Sequence, residues 1–182
     1  MAFAILRAEK LKTMGNIGGS LAHNYRTIDT PNANPSQTPN NFHSLKDSEA
    51  VKAAISERLP EKRRSDAVLC VEYMITASPE WQGWNDERQN EYFKQAVDWL
   101  EQRHGKHNVV ATSSHRDETT PHLIAYVVPL DQDTGKLNAK KFLGGKAKLA
   151  EMQSSFSDHV KNLGLKRGIE GSKAKHTRIK EY

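Results

Sequence analysis

The sequence predicts an α+β domain with a central antiparallel β-sheet flanked by helices, and three patterns lead to that prediction. Asp66–Ala77 (DAVLCVEYMITA) is rich in β-branched and aromatic residues and apolar on both faces, as a mid-sheet strand must be. Val109–Ser114 and His122–Leu130 are two more strand-like runs, joined by the tight polar segment HRDETTP. Residues 85–104 and 146–163 carry apolar side chains at helical spacing. Phe93, Val97 and Leu100 mark the first stripe; Leu149, Met152, Phe156, Val160 and Leu163 mark the second. Gly105 and Gly164 end them.

The remaining elements follow in chain order. Ala2–Arg7 reads as an entering strand. Gly15, Gly18 and Gly19 punctuate the approach to SLAHNYR, so a helix is expected there, capped by Asn16 or Ser20. Residues 27–45 hold Pro31, Pro35, Pro39 and four asparagines and read as one long loop, a length usually reserved for function or mobility. Residues 47–59 form a short helix with Asp47 or Ser48 as cap and Val51, Ile55 and Leu59 on one face. After the turn at Asp133–Gly135, Lys136–Phe142 is a candidate edge strand.

At 182 residues and a net charge of +5, the chain fits one domain with a real core, residues 1–182. No stretch approaches the ~20 apolar residues of a membrane span. The opening MAFAIL lacks a basic flank and a cleavage site, and Cys70 is the only cysteine, so a cytoplasmic protein without disulfides is expected. The charge is uneven: residues 1–64 balance at +4, residues 65–130 at −5 and residues 131–182 at +6. Basic ends around an acidic middle suit a polyanion held outside and a cation held inside.

His115-Arg-Asp-Glu-Thr-Thr-Pro-His122 is the densest group of metal-type ligands. His115 ends one strand, Glu118 sits in the connection and His122 begins the next, which suits Mn²⁺, Mg²⁺ or Zn²⁺. Pro121 excludes a helical zinc motif. His122 shares a strand face with Ile124, Tyr126 and Val128, so its imidazole needs a partner there. Glu72 interrupts an otherwise apolar strand and is a candidate support for that centre. His23 lies in SLAHNYR beside Asn24, Tyr25 and Arg26, where a surface histidine is the simplest reading. Trp81 and Trp84 are candidates to stack bases, whereas Trp99 falls on a helical core stripe.

HNYR, NANPS, DAVLCVEYMIT, SSHRDETTPHLIAYVVP and LKRGIEGSKAKH occur in this order and span essentially the whole chain. Together they resemble the Pre/Mob family of plasmid mobilisation and recombination proteins, the MobV-type relaxases. The resemblance implies the HUH-endonuclease architecture and a metal-dependent, strand-specific DNA nicking enzyme. It maps the nucleophile onto His23, with Asn24 and Arg26 orienting the ring or holding a phosphate. It maps the metal ligands onto His115, Glu118 and His122, with Mn²⁺ or Mg²⁺ as the ion. Glu118 is either a direct ligand or a catalytic support that hydrogen-bonds a ligand or His23. One departure stands out: HUH enzymes carry a second histidine two residues after the first, and here that position is Ile124.

The implied partners are plasmid origin-of-transfer DNA, single-stranded at the nick, and the conjugation coupling machinery. Phosphate contacts are expected from Arg63, Arg64, Lys140, Lys141, Arg167, Lys173, Lys175, His176 and Arg178. Relaxases of this family usually continue into further helical regions, so the chain reads as the N-terminal catalytic part of a longer protein. Two other readings stay open: a replication initiator that uses Tyr25 as nucleophile, and a DNA-binding module whose metal site is only structural.

Overall fold

The computed structural model describes residues 1–171. Its strands are β1 (Phe3–Leu11), β2 (Phe42–His43), β3 (Cys70–Ala77), β4 (Val109–His115), β5 (His122–Val127), β6 (Leu130–Asp131), β7 (Lys136–Leu137) and β8 (Lys166–Arg167). The helices are α1 (Met14–Asn24), α2 (Ser48–Arg58), α3 (Asp86–His104), α4 (Ala139–Leu143) and α5 (Gly145–Val160). Among the described residues, six strands form one sheet in the order β2-β4-β5-β3-β1-β8. Neighbours pair antiparallel except β8, which lies parallel to β1 at the edge. The α+β class and the antiparallel sheet are as expected.

Alternation along the central strands sends one set of side chains to each face. Tyr73 and Ile75 of β3, with Leu123 and Ala125 of β5, meet Tyr92, Phe93, Trp99 and Leu100 of α3 and Met152 and Phe156 of α5. Burying each of these large side chains is worth ~1.5–3 kcal/mol, and this layer is the larger core. The opposite face carries Cys70, Ile124 and Tyr126 against Ile17 and Leu21 of α1 and Val51 and Ile55 of α2. Among the described residues, a cavity opens at one end of this second face, and the candidate functional residues gather there.

Several expectations need correcting. α1 begins at Met14, before the glycines, because the Thr13 side chain caps the Asn16 amide and Ile17 is wholly buried against the sheet. Packing therefore overrides the cost of ~1 kcal/mol that each glycine adds to a helix. β1 runs on to Leu11, since its register with β3 continues to Leu11–Cys70, where Leu11 is buried. The long loop contains β2, which pairs with Ser113 and Ser114. Lys136–Phe142 is not one strand: Lys136 and Leu137 pair with β6, and Asn138 then caps α4. Leu149 is exposed rather than buried. Trp81 is buried in the core and donates its indole N–H to the Leu163 carbonyl, so it is a packing residue; Trp84 is half-buried beside it and donates to the Ser78 carbonyl. Asp47 caps α2 and Asn85 caps α3, as their positions before the apolar stripes imply.

Candidate active site

Three elements converge at the open end of the α1 face. α1 ends with His23 and Asn24, β4 ends with His115, and β5 begins with His122. In the β4–β5 register His115 lies directly opposite His122, which puts two imidazoles on neighbouring strands side by side. Pro121 and the polar turn carry Glu118 back over the pair. Ligand atoms of His115, Glu118 and His122 all lie within 4.8 Å of one another. A cavity of about 530 Å³ opens over this group and is lined by His23, Asn24, Asn32, Glu72, His115, Glu118, His122, Ile124 and Tyr126, among others.

The donor set fits a divalent cation. His115 Nε2 lies 3.0 Å from the Asn24 carbonyl oxygen, and His122 Nδ1 lies 3.3 Å from that of Thr120. Carbonyls only accept, so both of those nitrogens carry protons. The other two nitrogens, His115 Nδ1 and His122 Nε2, are 3.0 Å apart and turn lone pairs toward each other, with Arg26 Nη2 also donating to His115 Nδ1 at 3.2 Å. A cation relieves that opposition, and a carbonyl behind each imidazole is the usual support of a ligating histidine. Burial, the neighbouring His122 and Arg26 push the His115 pKa down to about 3, so its ring stays neutral and ligand-ready. Ile124 is buried in the cavity wall on the face of His122. Across the strand pair, His115 could supply the imidazole that a second motif histidine would otherwise provide.

Arg26 and Asp117 organise the carboxylate. Arg26, at φ 56°, leaves α1 in the left-handed region and turns its guanidinium inward. Its Nε and Nη2 donate to the two Asp117 oxygens at 2.9 and 2.6 Å, and Nη2 also reaches Glu118 Oε1 at 2.8 Å. Arg26 therefore holds the acidic turn and does not project into the cavity as a phosphate contact, which was one of its two expected roles. Asp117 is missing from the sequence-derived site, although its side chain is fully buried. The Arg26 hydrogen bonds and those from Asn41 and Thr38 outweigh its burial and hold its carboxyl well below the usual range. Asp117 thereby offsets the Arg26 charge beside Glu118.

The asparagine-proline loop supplies further clamps. Asn32 Nδ2 donates to Glu118 Oε2 at 2.5 Å, the Asn34 amide donates to the Asp117 carbonyl at 2.6 Å, and the Arg116 amide donates to Asn41 Oδ1 at 2.7 Å. This loop fixes the ligand-bearing turn.

His23 is exposed at the cavity rim. Burial and the Arg26 charge lower its pKa, and Glu118 opposes that shift, so the neutral, nucleophilic form is favoured near pH 7. Asn24 is turned the other way: its side chain is buried and donates to Ser113 Oγ at 3.1 Å. Its side chain therefore anchors the helix end to β4. Tyr25 lies outside the cavity lining; its hydroxyl donates to the Leu45 carbonyl and its ring stacks on His43 at 4.2 Å. Glu72 lines the cavity but hydrogen-bonds Ser20 of α1, which also contacts the Tyr126 hydroxyl at 2.7 Å. It braces the helix and is not part of the three-residue ligand group.

At the other end of the sheet, Lys62, Arg63, Arg64, Lys136 and Lys140 surround a separate cleft. Lys141 is not free to join them, because Asp131 and Asp133 hold its ammonium at 2.9 and 3.5 Å. Arg167 pairs with Glu170 at 3.2 Å. Lys173, Lys175, His176 and Arg178 lie outside the described residues.

The family model for the plasmid recombination enzyme (Mob_Pre) matches residues 1–182. The chain belongs to this family. It is 36% identical over 188 residues to the 65 kDa protein of Zymomonas mobilis, covering 99% of this chain and 32% of the relative. It is 31% identical to the plasmid recombination enzymes of Streptococcus agalactiae and Staphylococcus aureus (type 3), covering all of this chain and 39% and 48% of those proteins. The chain thus spans about a third to a half of the length of these relatives. Among solved structures it is similar to the MobM relaxase domain (MOBV; Mob_Pre) bound to plasmid oriT DNA in a Mn-bound crystal structure. That match has a TM-score of 0.84 and 30% identity, and covers 98% of this chain and 97% of the other. Both the family and the relaxase-type fold implied by the sequence motifs are borne out.

Proposed function

We propose that the chain is a cytoplasmic relaxase domain, the catalytic part of a longer protein, which nicks one strand of origin-of-transfer DNA and stays attached to its 5′ end. The observation that carries this reading is one cavity that holds an exposed, neutral-leaning histidine at its rim and a two-histidine, one-carboxylate group at its floor. MobM relaxase structures bound to oriT DNA and containing Mn support it, since their domain matches nearly the whole chain. Among the described residues no helix is long and apolar enough to cross a membrane.

In this mechanism a neutral His23 nitrogen attacks the scissile phosphorus, a P–N bond forms and the P–O3′ bond breaks. The electron pair leaves on the 3′ oxygen, which takes up a proton, while the His23 ring releases its N–H proton to solvent. The phosphoramidate keeps the energy of the broken diester, so the 3′ hydroxyl can reverse the step during rejoining. His115, His122 and Glu118 would hold Mn²⁺ or Mg²⁺. When bound, that ion polarises a phosphate oxygen and offsets the charge that develops there. Arg26 and Asp117 keep Glu118 in place, and Asn24 keeps the end of α1 on β4. Arg63, Arg64 and Lys140 would grip the backbone of the same DNA beyond the nick. Conjugation coupling proteins are the partners expected downstream.

The Tyr25 alternative loses ground, because that hydroxyl is engaged with Leu45 outside the cavity. The test is relaxation of supercoiled DNA carrying the transfer origin of the protein's own replicon. Nicking is expected with Mn²⁺ and should disappear on chelation or in His122→Ala. Absence of relaxed product with every divalent ion tried would sink the enzyme reading and leave the DNA-binding module.

A further inference from the structure

We infer that Ser113, together with His43, is a positioning pair that sets the tautomer of His115 through Asn24, and thereby sets the metal affinity of the site. The inference rests on the metal reading above and concerns side chains outside the ligand group.

Three contacts form a chain behind His115. His43 Nδ1 lies 2.7 Å from Ser113 Oγ, and Ser113 Oγ accepts from Asn24 Nδ2 at 3.1 Å. The Asn24 carbonyl, at the last residue of α1, accepts from His115 Nε2 at 3.0 Å. Ser113 and Asn24 are both almost wholly buried, so water does not substitute for either partner. Ser113 and His115 share one face of β4, which places the anchor of the helix end two residues behind the ligand it serves.

Two tautomers of His115 compete. With the proton on Nε2, the ring donates to Asn24 and leaves Nδ1 as a lone pair for a cation. With the proton on Nδ1, the ring donates to His122 Nε2, 3.0 Å away, and both metal-facing positions are consumed. Arg26 Nη2, 3.2 Å from Nδ1, can only donate there and so favours the first form; the Asn24 carbonyl holds the other nitrogen while it stays within hydrogen-bond reach, and Ser113 keeps it there by tying down the Asn24 side chain. His43, stacked on Tyr25 at 4.2 Å, holds Ser113 from the far side and closes over the turn that leaves α1. Second-layer partners of this kind typically change metal affinity by ~10–100-fold when removed.

The test uses the whole chain without DNA. Mn²⁺ titration calorimetry is run on wild type, Ser113→Ala, Ser113→Thr and His43→Phe, and ¹⁵N NMR reads the His115 tautomer in metal-free samples. The expected result is Mn²⁺ binding about 10-fold weaker in Ser113→Ala, with a new Nδ1–H population of His115, and recovery of both in Ser113→Thr. Should Ser113→Ala fail to fold by circular dichroism, His43→Phe, which keeps the ring stack, carries the test with the same expected direction. Affinity within twofold of wild type and an unchanged Nε2–H tautomer would overturn the inference. A wild type that binds no Mn²⁺ would instead overturn the metal reading, and the tautomer comparison would still decide the role of Ser113.

Discussion

Asp117→Asn isolates the charge balance on which the site depends. Asp117 is fully buried and accepts from Arg26 Nε and Nη2 and from Thr38 Oγ1 at 3.0 Å. Removing one member of a buried ion pair costs ~3–5 kcal/mol; because Arg26 keeps Glu118, we place this loss at the lower end, about 3 kcal/mol. For a domain of this size that is a fall in Tm of roughly 6–12 °C. Urea unfolding at pH 7 measures it directly. The pH dependence has a fixed sign: the folded pKa of Asp117 lies below its unfolded value of ~3.9, so the stabilisation is complete above that value and is lost as pH falls through the folded pKa. The gap between wild type and variant is therefore constant from neutral pH to about pH 5 and closes in stronger acid. Mn²⁺ affinity should fall as well, since the unshared Arg26 turns wholly onto Glu118. A stability loss below about 1 kcal/mol, with unchanged Mn²⁺ binding, would refute the charge argument.

Other consequences follow from the same geometry. Burial raises the Glu72 pKa, with the Ser20 hydrogen bond opposing it and Glu9, its β1 neighbour, adding to the rise. Its stabilisation is present below the unfolded pKa and lost as pH rises through the folded one, so Glu72→Gln should raise the Tm at pH 8 and leave it unchanged at pH 4; an equal effect at both pH values contradicts this. For the basic cleft, Arg63→Ala and Lys140→Ala should each lower the salt slope of DNA binding by ~0.7–0.9 in a log–log plot, and an unchanged slope would remove that residue from the interface.

The chemistry of the site was legible because its residue types are dense and local. His115, Glu118 and His122 fall within eight positions, and the strand pattern on either side places the two histidines at adjacent strand ends. The departure at Ile124 was also visible, and His115 and Glu118 were the residues expected to complete the set; what the sequence does not show is that His115 lies directly opposite His122, which depends on the β4–β5 register. Asp117 stayed hidden for a similar reason. Nothing local separates it from Glu118; its partner Arg26 is 91 positions away and reaches it only through a left-handed turn after α1. The glycines of α1 misled because helix cost is local, whereas the burial of Ile17 and Leu21 that offsets it is not. Trp81 misled because an indole suits a base and a core equally well, and only its contacts distinguish the two.

The decisive measurement is the residue that carries the DNA. Wild-type protein would be incubated with Mn²⁺ and a single-stranded oligonucleotide spanning the nick site of its own transfer origin, and the adduct digested and mapped by mass spectrometry. The expected product is an acid-labile phosphoramidate on His23, absent in His23→Ala and retained in Tyr25→Phe. An acid-stable adduct on Tyr25, or one that survives His23→Ala, would contradict the assignment of His23 as the nucleophile.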